Sequence, residues 1–253
     1  MAPLLHIILF AIVACLSGMR PAAAMDPRMP FRSFVLDHWS VEQGLPQITV
    51  LGMAEDRAGF LWINTQSAVA RFDGVRFVTF DRTRAGVDTS MLSAVWADPV
   101  GQVWFGGARG LLRERGGQFT ALGGDGINAI IDAGDGTPLL ATAQGLERVR
   151  DGRVVPDPGY DGPAFSLLRE GGVLWIGGLS RVCRLDAGTG SSAVTCFRQD
   201  HADGRPVPIT HLAAAGGELW LGTSFGLKRL AGTRLVASDL DSVLDTTSIE
   251  SLL

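Results

Sequence analysis

GFLWINTQSAVARFDG, residues 59–74, has a skeleton that returns four more times along the chain. Its large apolar residue Trp62 has counterparts in Trp104, Leu139, Trp175 and Trp220. Three positions before each anchor stands a glycine (Gly59, Gly101, Gly136, Gly172, Gly217). Seven after it comes an aliphatic residue (Val69, Leu111, Leu146, Val182, Leu227), and nine after it an arginine (Arg71, Arg113, Arg148, Arg184, Arg229). Successive anchors lie 42, 35, 36 and 45 residues apart, yet the span from glycine to arginine keeps one length. Insertions confined to one kind of junction are loops on a fixed scaffold, so the chain is a repeat array.

Each unit holds four short segments of strand character. The first reads ITVLGMAED, FLWINTQ, AVARFDG and VRFVTF, rich in β-branched and aromatic residues and separated by Gly, Asp and Asn that supply turns. The second runs from Met91 through Phe119, the third from Ile127 to about Val155, the fourth from Phe165 through Phe197, and the fifth from Ile209 to about Val236. Helical periodicity is missing. Four strands in about 35 to 45 residues is the content of a propeller blade. The expected fold is therefore all-β: a β-propeller of about five complete four-stranded blades over residues 48–248, with 249–253 (IESLL) opening a further blade as ITHLA at 209 and INAII at 127 open theirs. A blade reduced to its first strand cannot bury its face. Either the run Phe31 to Leu36 completes a sixth blade, or the sequence is a piece of a longer ring; an incomplete ring is the expectation.

The 253 residues are 46% hydrophobic, enough for a large core, and the 22 basic residues are scattered and outnumbered by 26 acidic ones, which excludes a nucleic-acid footprint. At the start, LLHIILFAIVACL (4–16) is followed by Ala22, Ala23 and Ala24, the layout of a cleaved signal peptide over residues 1–24 and hence of periplasmic export. MAPLLH lacks Lys and Arg, which leaves a buried helix as one alternative. A lipobox-like Ile12, Val13, Ala14, Cys15, with acylation at Cys15, is another. Residues 25–47 form a lead-in marked by Pro27, Pro30 and Pro46. Cys183 and Cys196 fall on neighbouring antiparallel strands; they form a disulfide if they face one another, and are otherwise small buried apolar residues.

The string HWSVEQGLPQITVLGMAEDRAGFLWINTQSAVARFDGVRFVTF (38–80) resembles the two-component regulator propeller repeats of periplasmic sensor regions. The resemblance is carried by Gly44, Leu45 and Pro46, by Asp56, by Gly59, Phe60, Leu61 and Trp62, and by Arg71, Phe72, Asp73 and Gly74. It extends over essentially everything after the signal, weakest in the third repeat, where Leu139 replaces tryptophan. It implies a propeller that precedes a transmembrane helix and a cytoplasmic output domain, a histidine kinase (hybrid kinases included) or a diguanylate cyclase, neither of which lies in these 253 residues.

No catalytic, cofactor or metal site emerges from the residues. GGDG (123–126) lacks the Glu and Phe of a cyclase loop and sits where a turn is expected. His6, His38, His201 and His211 show no ligand spacing, and Asp200 to Gly204 offers too few oxygens for calcium. There is no G-x-S-x-G elbow, and GGARG (106–110) lacks the lysine and following helix of a P-loop. The anchor tryptophans could stack sugars, but their fixed place in every unit points to packing between blades. Likewise the repeated arginines are expected to bond neighbouring carbonyls or carboxylates. Trp39 and Trp96 stand outside the register and are the better candidates for a special role, although residues of this kind are more often core.

The chain thus reads as an extracytoplasmic sensory, ligand-binding propeller that is not an enzyme, its ligand an unidentified small molecule or saccharide. Membrane attachment would come through a missing downstream segment or through Cys15, and exposed blade edges would promote self-association. A protein-binding scaffold is the main alternative and a propeller enzyme such as a lyase the weaker one. The longer junctions after Phe80 and Phe197 mark the loops that reach outward.

Overall fold

A computed structural model describes residues 37–186, 194–198, 204–237 and 249. The export segment with His6 and Cys15, the run 31–36, Asp200 to Asp203 with His201, and 250–253 lie outside the described residues. The chain divides into residues 1–38 and 39–253. Of the first unit only Asp37 and His38 are described, outside any helix or strand.

The second unit holds five four-stranded antiparallel sheets, each in simple chain order. The first comprises β1 (Val50–Glu55), β2 (Leu61–Thr65), β3 (Val69–Phe72) and β4 (Phe77–Phe80). The second is β5 (Leu92–Ala97), β6 (Val103–Gly107), β7 (Gly110–Arg115) and β8 (Gln118–Gly123); the third is β9 (Ile127–Asp132), β10 (Pro138–Thr142), β11 (Gly145–Arg150) and β12 (Arg153–Asp161). The fourth is β13 (Ala164–Glu170), β14 (Val173–Gly178), β15 (Arg181–Asp186) and β16 (Val194–Arg198), and the fifth β17 (Ile209–Ala215), β18 (Glu218–Thr223), β19 (Gly226–Ala231) and β20 (Arg234–Ala237). First strands pack against one another in the order β1, β5, β9, β13, β17. Five blades around inner strands is the expected propeller array.

Each anchor sits on the second strand of its blade directly opposite the repeated arginine, as Trp62 opposes Arg71 and Trp220 opposes Arg229. Alternation along β2 then sends Trp62 toward the next blade. There Trp62, Val69 and Phe80 meet Leu92, Val103, Phe105, Leu112 and Phe119, and the same junction recurs around Trp104 and Leu139. Each fully buried aliphatic side chain in these seams contributes about 1.5–3 kcal/mol. Closeness of the seams demands glycine at Gly106, where a Cβ would strike Ile127 Cγ2, and at Gly177, where one would stand 2.5 Å from the Ile209 carbonyl oxygen. Ile249 bears on Gly222 in the same way and donates its N–H to the Thr223 carbonyl, so it seats where the first strand of another blade would begin.

Three details differ from the sequence reading. The third blade's last strand runs on through Pro156 and Pro158 to Asp161, which an outermost strand tolerates because its far edge needs no N–H donors. A one-turn helix α1 (Arg82–Ala85), capped by Asp81, lies in the junction after Phe80, and Val41–Gln43 forms a 3₁₀ turn with a Ser40/Gln43 capping box. Part of the lead-in belongs with the first blade, since Leu45 packs on Ile63 and Ala70 while Trp39 meets Phe72 and Phe77 edge-on at 4.7 and 5.8 Å.

Candidate functional site

Every inner strand carries a β-bulge at the same place. The residue skipped in the ladder is Leu51 in β1, Ser93 in β5, Asn128 in β9, Phe165 in β13 and Thr210 in β17. A bulge re-aims a side chain and bends its strand. Ser93, Asn128, Phe165 and Thr210 accordingly line one cavity of about 250 Å³, to which all five inner strands contribute. Each inner strand is also an edge strand of its sheet, so it turns a row of unpaired backbone groups toward this space. The cavity is an axial channel with apolar walls from Met53, Val95, Ile130, Leu167 and Leu212, and polar groups from Ser93, Asn128, Thr210 and His211.

Hydrogen bonds tie the wall together from blade to blade. Asn64 donates to the Ala94 carbonyl at 3.2 Å, Asn128 to that of Ala164 at 2.8 Å, and Ser166 to that of Ile209 at 2.8 Å. Thr210 reaches the Gly222 carbonyl, and its hydroxyl lies 3.1 Å from His211 Nδ1.

Antiparallel order places the junctions between blades on one rim with the turns joining second and third strands. The channel residues lie in the first halves of the inner strands, next to that rim. It is cross-linked: Arg109 pairs with Asp88, Met91 donates its N–H to the Gln66 carbonyl, and Ser180 and Val207 exchange two hydrogen bonds. The hydroxyl and N–H of Ser90, helped by the Arg109 charge, hold the Asp88 carboxyl below its ordinary range. Met91 and Ser180 adopt left-handed φ of 56° and 54° on this rim, a strained state for such residues. The junction after Phe80, singled out by length, opens on it, while residues 199–203 of the one after Phe197 lie outside the described residues.

On the opposite rim aspartates close the turns between first and second strands. Asp56 accepts from Ala58 and Phe60 N–H and, with its other oxygen, from the Trp62 indole at 2.7 Å. Asp98 does the same for Val100, Gln102 and the Trp104 indole, and Asp132 closes the third turn over Gly134 and Gly136. In the fourth and fifth blades these turns shrink to Gly171–Gly172 and Gly216–Gly217, all at positive φ as a two-residue hairpin requires.

The anchor tryptophans fall into two groups. Trp62 and Trp104 are buried between blades; Trp175 and Trp220 are half-exposed. The repeated arginines act locally. Arg148 pairs with Asp157 at 2.5 Å, Arg184 with Asp186 at 2.6 Å and Arg229 with Glu218, while Arg71 lies 4.4 Å from the Phe60 ring centroid and Arg113 6.0 Å from that of Trp104. Trp96 opposes Trp104 and packs in the seam between the second and third blades, and Trp39 covers the first blade, so both serve packing. Cys183 and Cys196, left open by the sequence, face one another across β15 and β16 and are disulfide-bonded. Gly123 to Gly126 and Gly106 to Gly110 fall in strand ends and turns. Among the described residues no three His, Cys, Asp or Glu side chains gather as metal ligands, and no helix is long and apolar enough to cross a membrane.

No protein-family model matches the chain, and no curated protein matches it. Solved structures do. The chain is similar to the extracellular domains of two proteins of B. thetaiotaomicron described as hybrid two-component systems. One is 22% identical with a TM-score of 0.63, matching 79% of this chain and 31% of its own; the other is 19% identical with a TM-score of 0.64, matching 83% and 32%. Virginiamycin B lyase from Staphylococcus aureus is 16% identical with a TM-score of 0.54, over 76% of this chain and 70% of the lyase. The chain spans about a third of the length of the two-component domains. The repeat pattern and these likenesses agree on the architecture: the chain has the fold of a β-propeller array.

Proposed function

We propose that the chain is the extracytoplasmic sensory propeller of a bacterial signalling receptor, and that it binds a small molecule at the mouth of its axial channel. The observation that carries this reading is the set of five bulges, which brings Ser93, Asn128 and Thr210 from different blades to one cavity beside the rim that holds the long junction after Phe80. Its action is binding without chemistry. A ligand that favours one of two arrangements of that rim shifts the receptor between signalling states by its difference in affinity. The disulfide suits an oxidising, exported location. Export by the 1–24 segment, and transmembrane and output domains beyond these residues, belong to the same reading. The fold likeness to a lyase does not outweigh it, since His38 and His211 are the only histidines among the described residues and no acid–base cluster accompanies His211 in the channel.

A thermal-shift panel of monosaccharides, amino acids, dicarboxylates and nucleosides tests the proposal against wild type and Ser93→Phe, an exposed substitution that fills the channel. A panel member that raises the melting temperature of wild type alone supports channel binding. Stabilisation that survives Ser93→Phe places binding elsewhere and refutes it.

A further inference from the structure

Half-exposed Trp175 departs from the pattern of the buried anchors Trp62 and Trp104. In the first two blades the indole N–H is satisfied by the turn aspartate, Asp56 or Asp98. Leu168 opposes Trp175 as Ala54 opposes Trp62, so Glu170 takes the place of Asp56. Glu170 has one methylene more and stands in a two-residue hairpin. Among the described residues the Trp175 indole has no acceptor and the Glu170 carboxylate no donor. The packing partners have changed as well. Phe105 and Phe119 bear on Trp62 with ring centroids 5.8 and 6.3 Å away, whereas the corresponding positions facing Trp175 are Leu221 and Leu235. A cavity of about 300 Å³ lies between the fourth and fifth blades, lined by Trp175, Glu170, Glu218, Leu219 and the Ala214 to Gly217 hairpin.

Glu170 and Trp175 thus both line one cavity, and no hydrogen bond joins them as one joins Asp56 to Trp62 and Asp98 to Trp104. A guest that satisfies both must accept from the N–H and donate to the carboxylate while presenting an apolar side to the ring. A hydroxyl group does both; an ammonium group only donates. Glu218, paired with Arg229, adds a second acceptor whose charge is already balanced. We propose that this cavity, on the rim opposite the channel mouth, is a binding site for a cyclic polyol, sugar rings included, stacked on Trp175 with a hydroxyl between the indole N–H and Glu170. It stands independently of the channel site.

The test follows the indole N–H resonances of the full chain while myo-inositol, methyl glucoside or tetramethylammonium is added. The Trp175 resonance, assigned by its loss in Trp175→Phe, is expected to shift with either polyol at about millimolar concentration, as suits so small a ligand. Glu170→Gln, at an exposed position that leaves the fold intact, should weaken that binding on the order of tenfold, and Ser93→Phe should leave it unchanged. A response to tetramethylammonium alone, an equal response in Glu170→Gln, or no shift of the Trp175 resonance with either polyol would each overturn the proposal.

Discussion

The Asp98 carboxylate lies 3.0 Å from the Trp104 indole nitrogen while its other oxygen closes the preceding turn through Val100 and Gln102. One side chain thus fixes both the blade corner and the anchor packed against the next blade. Asp132 performs only the first task, because its anchor is Leu139. Asp98→Ala should cost about 2–3 kcal/mol, since it strands a buried indole as well as turn N–H groups, and Asp132→Ala about 1 kcal/mol. Urea unfolding of the two variants measures the difference; equal losses would show that the indole bond contributes nothing.

Gly106 is constrained by space, since its φ is not in the left-handed region and a Cβ would strike Ile127. Gly106→Ala should destabilise by about 1–3 kcal/mol. In an Ile127→Ala background the same change should cost clearly less, a coupling that a double-mutant cycle reads directly. Additive losses would mean that the seam between the second and third blades is looser than described.

The disulfide closes a loop with a sequence separation of 13 residues and holds the outermost strand β16 to β15. Reduction should lower stability by about 3 kcal/mol on loop-closure grounds. Cys196→Ser should match the reduced protein and respond no further to reductant. A reductant effect that persists in Cys196→Ser would have another source.

Glu114 is buried, and that burial raises its carboxyl above the ordinary range despite the Gly117 N–H it accepts and the nearby Arg71 charge. A raised carboxyl binds its proton more tightly in the folded state, so folding loses stability as pH climbs from the ordinary glutamate pKa of about 4.3 through the folded value. Glu114→Gln removes this term and should gain on wild type as pH rises from about 4 to 7. The exposed carboxyls of Asp73 and Asp135, lowered chiefly by an N–H of Arg76 and by the Thr137 hydroxyl, act oppositely: their contribution is present above the ordinary aspartate range and lost as pH falls through the folded value. An unchanged difference between Glu114→Gln and wild type across that range would contradict the assignment.

The sequence made the blade frame legible because anchor, glycine and arginine recur at fixed spacing, and that spacing is the strand register itself: Trp62 opposite Arg71 is a nine-residue hairpin offset read in space. The bulges were not legible. Leu51, Ser93, Asn128, Phe165 and Thr210 share no chemistry, and only pairing with the second strand shows that each is skipped. Trp175 looked like its fellow anchors because its difference resides elsewhere, in Glu170 at a shortened turn and in Leu221 and Leu235 of the next blade. The disulfide required knowing that Cys183 and Cys196 stand opposite one another, which a separation of 13 residues permits without requiring.

Whether this propeller is the sensing end of a membrane receptor is decided by immunoblotting fractionated cells that carry the gene with an antibody raised against residues 39–253. A receptor's sensing end would be detected as a membrane-associated polypeptide well above the size of 253 residues. A freely soluble species no larger than 253 residues would contradict it.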